Sequence, residues 1–265
     1  MVYHSSIETA YYLLPLIGFL IGLFATLIGG GGGFFFIPLL ILLYQVPAQT
    51  AVITSLVATL PICFVGSVMH YRYKQIEINL VGTFAVAGMA GAFAGAFLTS
   101  VISPSSLKLG FGIYSIFIAL FMVYRTRRDI LRLRAKKPNI PFSIRKKRLL
   151  GSTFGFFSGL ITGTFGTSGT APVIIGLFTL QIPVKLVIGT SMLIILMNTL
   201  FATGAHIILG KIDIMLVVFL SSGSIVGAIL GPKLLAKIKT ELFENKIKYG
   251  YSFVIIVLGF LMIIG

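Results

Sequence analysis

The chain has 265 residues, of which 57% are hydrophobic and 10% charged, and its mean hydropathy is +1.05. Soluble domains carry about 25% charged residues, so this composition excludes a soluble globular protein and points to apolar membrane helices. The formal charge of +15 would suit a nucleic-acid binder, but eleven of the 21 basic residues fall in one stretch, Arg125–Arg148. Basic segments of that kind mark the cytoplasmic side of membrane proteins and meet anionic lipid headgroups. Aromatic or groove-reading elements that would support nucleic-acid binding are lacking.

No Lys or Arg precedes the first apolar run, which argues against a cleaved signal peptide. The single cysteine, Cys63, rules out an intramolecular disulfide and any multi-cysteine metal site. It reads as a small packing residue. Apolar segments then follow at about 11–28, 34–44, 49–70, 76–100 and 107–124. After the basic stretch come segments at about 149–165, 173–180, 185–209, 212–236 and 247–265. The chain therefore divides into an N-terminal membrane repeat (1–124), a basic cytoplasmic loop (125–148) and a C-terminal membrane repeat (149–265).

The halves are related by a shift of 136 residues. It superposes Gly33 on Gly169, Gln45 on Gln181, Pro47 on Pro183, Thr54–Ser55 on Thr190–Ser191 and His70 on His206. Glu77 meets Asp213, Gly91 meets Gly227 and Gly95 meets Gly231 under the same shift. One offset that catches so many uncommon residues indicates duplication. Each half is an expected broken helix pair plus three transmembrane helices, making an all-α integral membrane protein.

Charge decides between parallel and inverted repeats. If each broken pair enters and returns on one side, nineteen of the 21 basic residues face the cytoplasm, with only Lys108 and Lys211 outside. If each pair crosses once, seven face outward. The positive-inside rule favours inverted repeats with re-entrant broken pairs.

The first break is "IGGGGGFFFIP" (28–38) and its counterpart is "GTFGTSGTAPV" (163–173). Glycine costs about 1 kcal/mol in a helix relative to alanine, and non-helical backbone at membrane depth is tolerated only inside protein or beside a wet cavity. Matched breaks in the two halves of a duplicated chain point to a transport site. Short helices starting near Phe34 and Pro172 would turn unpaired N–H groups and a partial positive charge toward that site. Gly30, Gly31, Gly32 and Gly33 would let a ligand approach the backbone of the first break. Gly166, Thr167, Ser168, Gly169 and Thr170 would do so at the second, with added hydroxyls. Such a site holds a small oxyanion without a fixed cation; no Lys or Arg falls in the middle of an apolar segment, and weak binding lets the ion leave.

Thr54, Ser55, Thr190 and Ser191 could complete the cavity, or bond a carbonyl one turn back. Asn198 suits substrate contact and helix–helix bonding equally. His70 and His206 could couple transport to protons, although bonding an interfacial loop carbonyl is the simpler role. Glu77 and Asp213 read as helix caps. The remaining small-residue spacings, Gly18/Gly22, Gly91/Gly95, Gly155/Gly159/Gly163 and Gly223/Gly227/Gly231, read as close helix packing. No phosphate-binding loop, zinc motif or catalytic triad occurs. No enzyme, cofactor or metal is expected.

The paired breaks "GLFATLIGGGGGFFFIPLL" and "GLITGTFGTSGTAPVIIGL", with "VPAQTAVITSL" and "IPVKLVIGTSM" after them, resemble the TauE/SafE family of sulfite and organosulfur anion exporters along nearly the whole chain. Gly29, Gly31, Gly32, Gly33 and Pro38 meet the family's Gly-x-Gly-Gly-Gly motif with its following Pro. The second copy departs from it at Thr167 and Ser168. The resemblance implies a multi-pass carrier in a prokaryotic plasma membrane that exports sulfite, sulfonates or related small anions. An anion channel, a carrier of other organic anions and a non-transporting scaffold are the rival readings. The expected partners are the anion and the bilayer, and the sequence leaves a homo-oligomer open.

Overall fold

The structure is a computed structural model that describes residues 2–3, 9–134, 143–209, 211–237 and 241–264. These are almost entirely helical. A 3-10 turn (Thr9–Leu13) leads into α1 (Leu14–Ile28), the short α2 (Gly33–Pro38), α3 (Ala48–Arg72), α4 (Ile78–Val101) and α5 (Pro104–Arg134). Then come α6 (Ile144–Phe165), α7 (Thr170–Thr179), α8 (Val184–Leu209), α9 (Ile214–Lys237) and α10 (Glu241–Ile264). Two dipeptide strands, β1 (Val2–Tyr3) and β2 (Ile212–Asp213), pair in parallel. That pairing holds the N-terminal backbone at the end of the molecule where α9 begins.

Six described helices are long and apolar enough to cross a membrane: Tyr11–Ile28, Ala48–Arg72, Ile78–Val101, Pro104–Arg128, Val184–Ile207 and Ile214–Lys237. Basic residues near the starts of α6 and α10 lower the hydropathy of those two, and the apolar part of α10 is Ser252–Ile264. Large apolar side chains such as Phe64, Phe93, Phe97, Phe117 and Phe253 point outward. Exposed apolar surface of this extent, on helices long enough to span, suits a hydrocarbon surround.

Two segments depart from the sequence expectation. The basic stretch is partly helix, because α5 runs on to Arg134 and α6 starts at Ile144; Arg, Leu and Ile there are adequate helix formers. Residues 135–142 of the expected loop, with Lys136 and Lys137, lie outside the described residues, as does Lys239. After Pro38 the chain widens into a π-helix over Leu39–Leu43. Proline offers no N–H and crowds the carbonyl one turn back, so the regular ladder gives way there.

The closest helix pairs are made by the glycine rows. On α6, β-carbons at Gly155, Gly159 and Gly163 would collide with the carbonyls of Phe84, Gly88 and Ala92 on α4. On α9, β-carbons at Gly223 and Gly227 would strike the carbonyls of Pro15 and Phe19 on α1. Both sets of contacts advance together, so α4 runs parallel to α6 and α1 to α9. Backbones this close gain dispersion and shed little side-chain entropy, which drives association where lipid is as apolar as leucine.

The centre is held by α3 and α8, which cross antiparallel. Gly66, late in α3, faces Met192, early in α8, while Thr54 early in α3 bonds Asp213, just past the end of α8. Gly159→Leu should lower the apparent melting temperature in detergent by roughly 10 °C or more, or abolish folding, because backbone must move to admit it. Gly82→Leu meets nothing within 4 Å and should leave it within about 2 °C.

Candidate functional site

Each break is a set of left-handed turns that glycine makes possible. α1 ends at Gly29 in the left-handed region (φ 80°), where the N–H groups of Gly29 and Gly30 both donate to the Ala25 carbonyl. Gly31 (φ 65°) and Gly32 (φ 91°) are also left-handed, and Gly32 starts α2. At the second break Gly166 (φ 66°) ends α6 and Gly169 (φ 53°) starts α7. A side chain at any of these five positions would be strained.

The two breaks lie against each other. Ser168 and Thr170 both donate their hydroxyls to the Gly30 carbonyl, the latter at 2.9 Å. A β-carbon on Gly33 would stand 2.9 Å from the Gly166 carbonyl oxygen and the Ser168 nitrogen. One on Gly31 would stand 2.7 Å from Ser168 Cβ and 3.0 Å from Cys63 Sγ. Cys63 is therefore a neighbour of the first break as well as a buried packing residue.

The long helices brace this junction. Ser55 donates to the Gly166 carbonyl at 3.1 Å. Ser191 reaches the Gly29 carbonyl at 2.9 Å and the Ile188 carbonyl, three residues back, at 2.8 Å. Thr54 and Thr190 are used differently: their hydroxyls accept the backbone N–H of Asp213 and Glu77, at 3.1 and 2.8 Å. They brace the entries to α9 and α4. The Asp213 carboxylate in turn accepts the Leu216 N–H and caps α9.

Asn198 donates to Ser158 at 3.0 Å, and Ser158 donates to the Gly169 carbonyl at 2.7 Å. Its other amide atom, Oδ1, is buried without a partner. Thr167, fully buried at the turn of the second break, also has an unpartnered hydroxyl. The histidines are buried, each against a backbone carbonyl. His70 contacts the Thr26 carbonyl at 3.0 Å and Gln75 Oε1 at 2.7 Å, and His206 contacts the Gly163 carbonyl at 2.7 Å. Both grip the last turn of the helix that leads into a break, where carbonyls lose their helical partners.

The two short helices are unequal. α2 has six residues, and its first-turn N–H groups at Phe35 and Phe36 already donate to the Gly32 carbonyl. α7 has ten residues, with Thr170 at its first position and Thr167 beside it. The dipole that favours an anion is thus concentrated at the start of α7. Sequence reasoning missed Ser158 and the row of buried hydroxyls on α3 and α8. The 136-residue shift superposes Cys63 on Thr199 and Ser67 on Thr203, and that coincidence was the available signal.

This arrangement, a bundle of apolar helices with two facing breaks at its centre, is that of a membrane transporter. The chain belongs to the family described as sulfite exporter TauE/SafE, which matches residues 14–262. It is similar to "Probable membrane transporter protein YdhB" of Bacillus subtilis (strain 168), at 33% identity over 83% of this chain and 89% of that protein. It is also similar to "Probable membrane transporter protein YunE" of the same organism, at 23% identity over 88% of this chain and 91% of that protein. No solved structure matches.

Because Gly30 keeps one donor when the other is lost, Ser168→Ala and Thr170→Val should each cost about 1 kcal/mol or less. Together they leave a buried carbonyl unpaired and should cost roughly 2–3 kcal/mol, more than the sum, in an unfolding titration in detergent.

Proposed function

We propose that the chain is a secondary transporter that exports small anions such as sulfite or sulfonates across a prokaryotic plasma membrane. The ion binds where the two breaks meet. The observation that carries this reading is the buried, unpartnered hydroxyl of Thr167 at the turn into α7, a residue whose Cα would stand 2.9 Å from a β-carbon on Gly33 of the first break. A deprotonated sulfur oxyanion would take that hydroxyl and the N–H groups at the start of α7; the hydroxyls of Ser168 and Thr170, which donate to the Gly30 carbonyl here, would join them on releasing it. Gly30, Gly31, Gly32 and Gly33 would supply the opposing wall, with Ser191 behind it at Gly29 and Ser55 on the other side at Gly166. Neutral donors bind such an ion firmly enough for selection and weakly enough for release.

The repeats are inverted in this reading, and each broken pair is a hairpin returning to its side of origin. The antiparallel crossing of α3 and α8, equivalent under the 136-residue shift, supports it. So do the matching left-handed residues Gln45 (φ 50°) and Gln181 (φ 61°) after the two short helices. The reciprocal bonds from Glu77 to Thr190 and from Asp213 to Thr54 add a third match. The basic segment then faces the cytoplasm and anionic headgroups. His70 and His206, each against a carbonyl ahead of a break, are the candidates for proton coupling. The family description names sulfite export, and the similar Bacillus proteins are named as membrane transporters.

Radiolabelled sulfite uptake into proteoliposomes tests the reading. It should saturate, be competed by small sulfonates and be insensitive to acetate and chloride. Thr167→Val should raise the half-saturating concentration about tenfold or more, the loss of one hydrogen bond to a charged group. Unsaturable, electrodiffusive flux would replace the carrier with a channel. No flux through correctly inserted protein would remove sulfite as the substrate.

A further inference from the structure

Buried hydroxyls in these helices ordinarily bond a carbonyl of their own helix, three or four residues back. Thr26, Ser115, Thr162 and Thr179 all do so. A second group does not. Thr59 and Ser67 on α3, and Asn198 Oδ1, Thr199 and Thr203 on α8, are buried without any partner. Ser67 is 4% exposed, Thr203 6% and Thr199 0%. Buried polar atoms are nearly always paired, so five unpaired ones on two helices require a reason; a further one, Ser221, lies on α9.

Their placement supplies one. Cys63, one turn after Thr59, touches the first break at Gly31. Ser67 lies one turn beyond Cys63 on the same helical face, and His70 follows, closed against the Thr26 carbonyl. On α8, Asn198 reaches the second break through Ser158, Thr199 is beside it, and Thr203 lies one turn on. His206 follows there, closed against the Gly163 carbonyl. Because α3 and α8 cross antiparallel, the two rows leave the breaks toward opposite ends of the molecule. Ser67 leads to the end that carries Arg72 and Lys74, and Thr203 to the end that carries Lys211.

Resting on the transport reading above, we propose that these rows line the two halves of the ion's path. The path runs past Ser67 on α3 to the basic, cytoplasmic face and past Thr203 on α8 to the outer face. Both halves are shut in this structure, so it is an occluded state. The hydroxyls stand unpaired because their partners are the water and the anion admitted when one half opens. The contacts of His70 with Thr26 and of His206 with Gly163 are the latches that must part.

Thiol labelling tests this in a Cys63→Ser background. Ser67→Cys, Thr203→Cys and Phe64→Cys are each exposed to a charged, membrane-impermeant thiol reagent in right-side-out and inside-out vesicles. Phe64, outward-facing and 60% exposed one residue beyond Cys63, is the lipid control. Position 67 should react only from the cytoplasmic face and position 203 only from the outer face, with position 64 silent. Saturating sulfite should slow both reactions at least about threefold. Absence of reaction at 67 and 203 in correctly inserted protein, or reaction of both from one face, overturns the proposal. Opposite-faced labelling without sulfite protection upholds the path and removes sulfite from the transport reading instead. A second measurement guards against misfolding. Ser67→Ala and Thr203→Val should leave the melting temperature unchanged or raised, since neither hydroxyl has a partner to lose, yet slow transport about fivefold. A fall in melting temperature with unaltered transport contradicts the path.

Discussion

Broken backbone inside a membrane must find its hydrogen-bond partners within the protein, because lipid offers none. In this chain the two breaks satisfy each other. The Gly30 carbonyl takes the hydroxyls of Ser168 and Thr170, and Ser55 and Ser191 close the Gly166 and Gly29 carbonyls from the long helices. Everything around this junction can be understood as holding it. The pairs α1 with α9 and α4 with α6 approach through glycine so that α1 and α6 end where they do. Helices α3 and α8 then carry the serines that finish the junction.

The junction is also what makes the centre chemically useful. Its groups are neutral hydroxyls, amides and backbone, with one helix start, α7, aimed into it and one hydroxyl, Thr167, unused. In the proposed reading such neutral groups would bind a small anion without a fixed cation. A site assembled from two chain segments of different halves has a further consequence: moving one half against the other changes the site itself. In the proposed transport cycle, ligand binding and opening would be coupled through the same few residues.

Much of this was legible in the sequence, for physical reasons. Five adjacent glycines cannot serve one packing face, so a break at 29–33 followed from composition alone. The shift of 136 residues located the second break although Thr167 and Ser168 replace glycines there. The glycine spacings foretold close packing, but not that α1 would choose α9 and α4 would choose α6, since spacing carries no information about the partner. The contacts of Thr54 and Thr190 were equally hidden, since nothing in the sequence says that their hydroxyls accept the N–H groups of Asp213 and Glu77. The extension of α5 and α6 into the basic stretch was missed because charge was read as loop, whereas Arg and Lys are compatible with helix once the segment leaves the apolar layer.

The central claim is that a small oxyanion sits between the two breaks. The most direct measurement is diffraction at the selenium absorption edge from crystals grown with selenite, the heavier analogue of sulfite. An anomalous peak is expected between residues 29–33 and 166–170, within hydrogen-bonding distance of the Thr167 hydroxyl. A peak confined to the basic surface around Arg125–Arg148, or lodged elsewhere in the bundle, would contradict it.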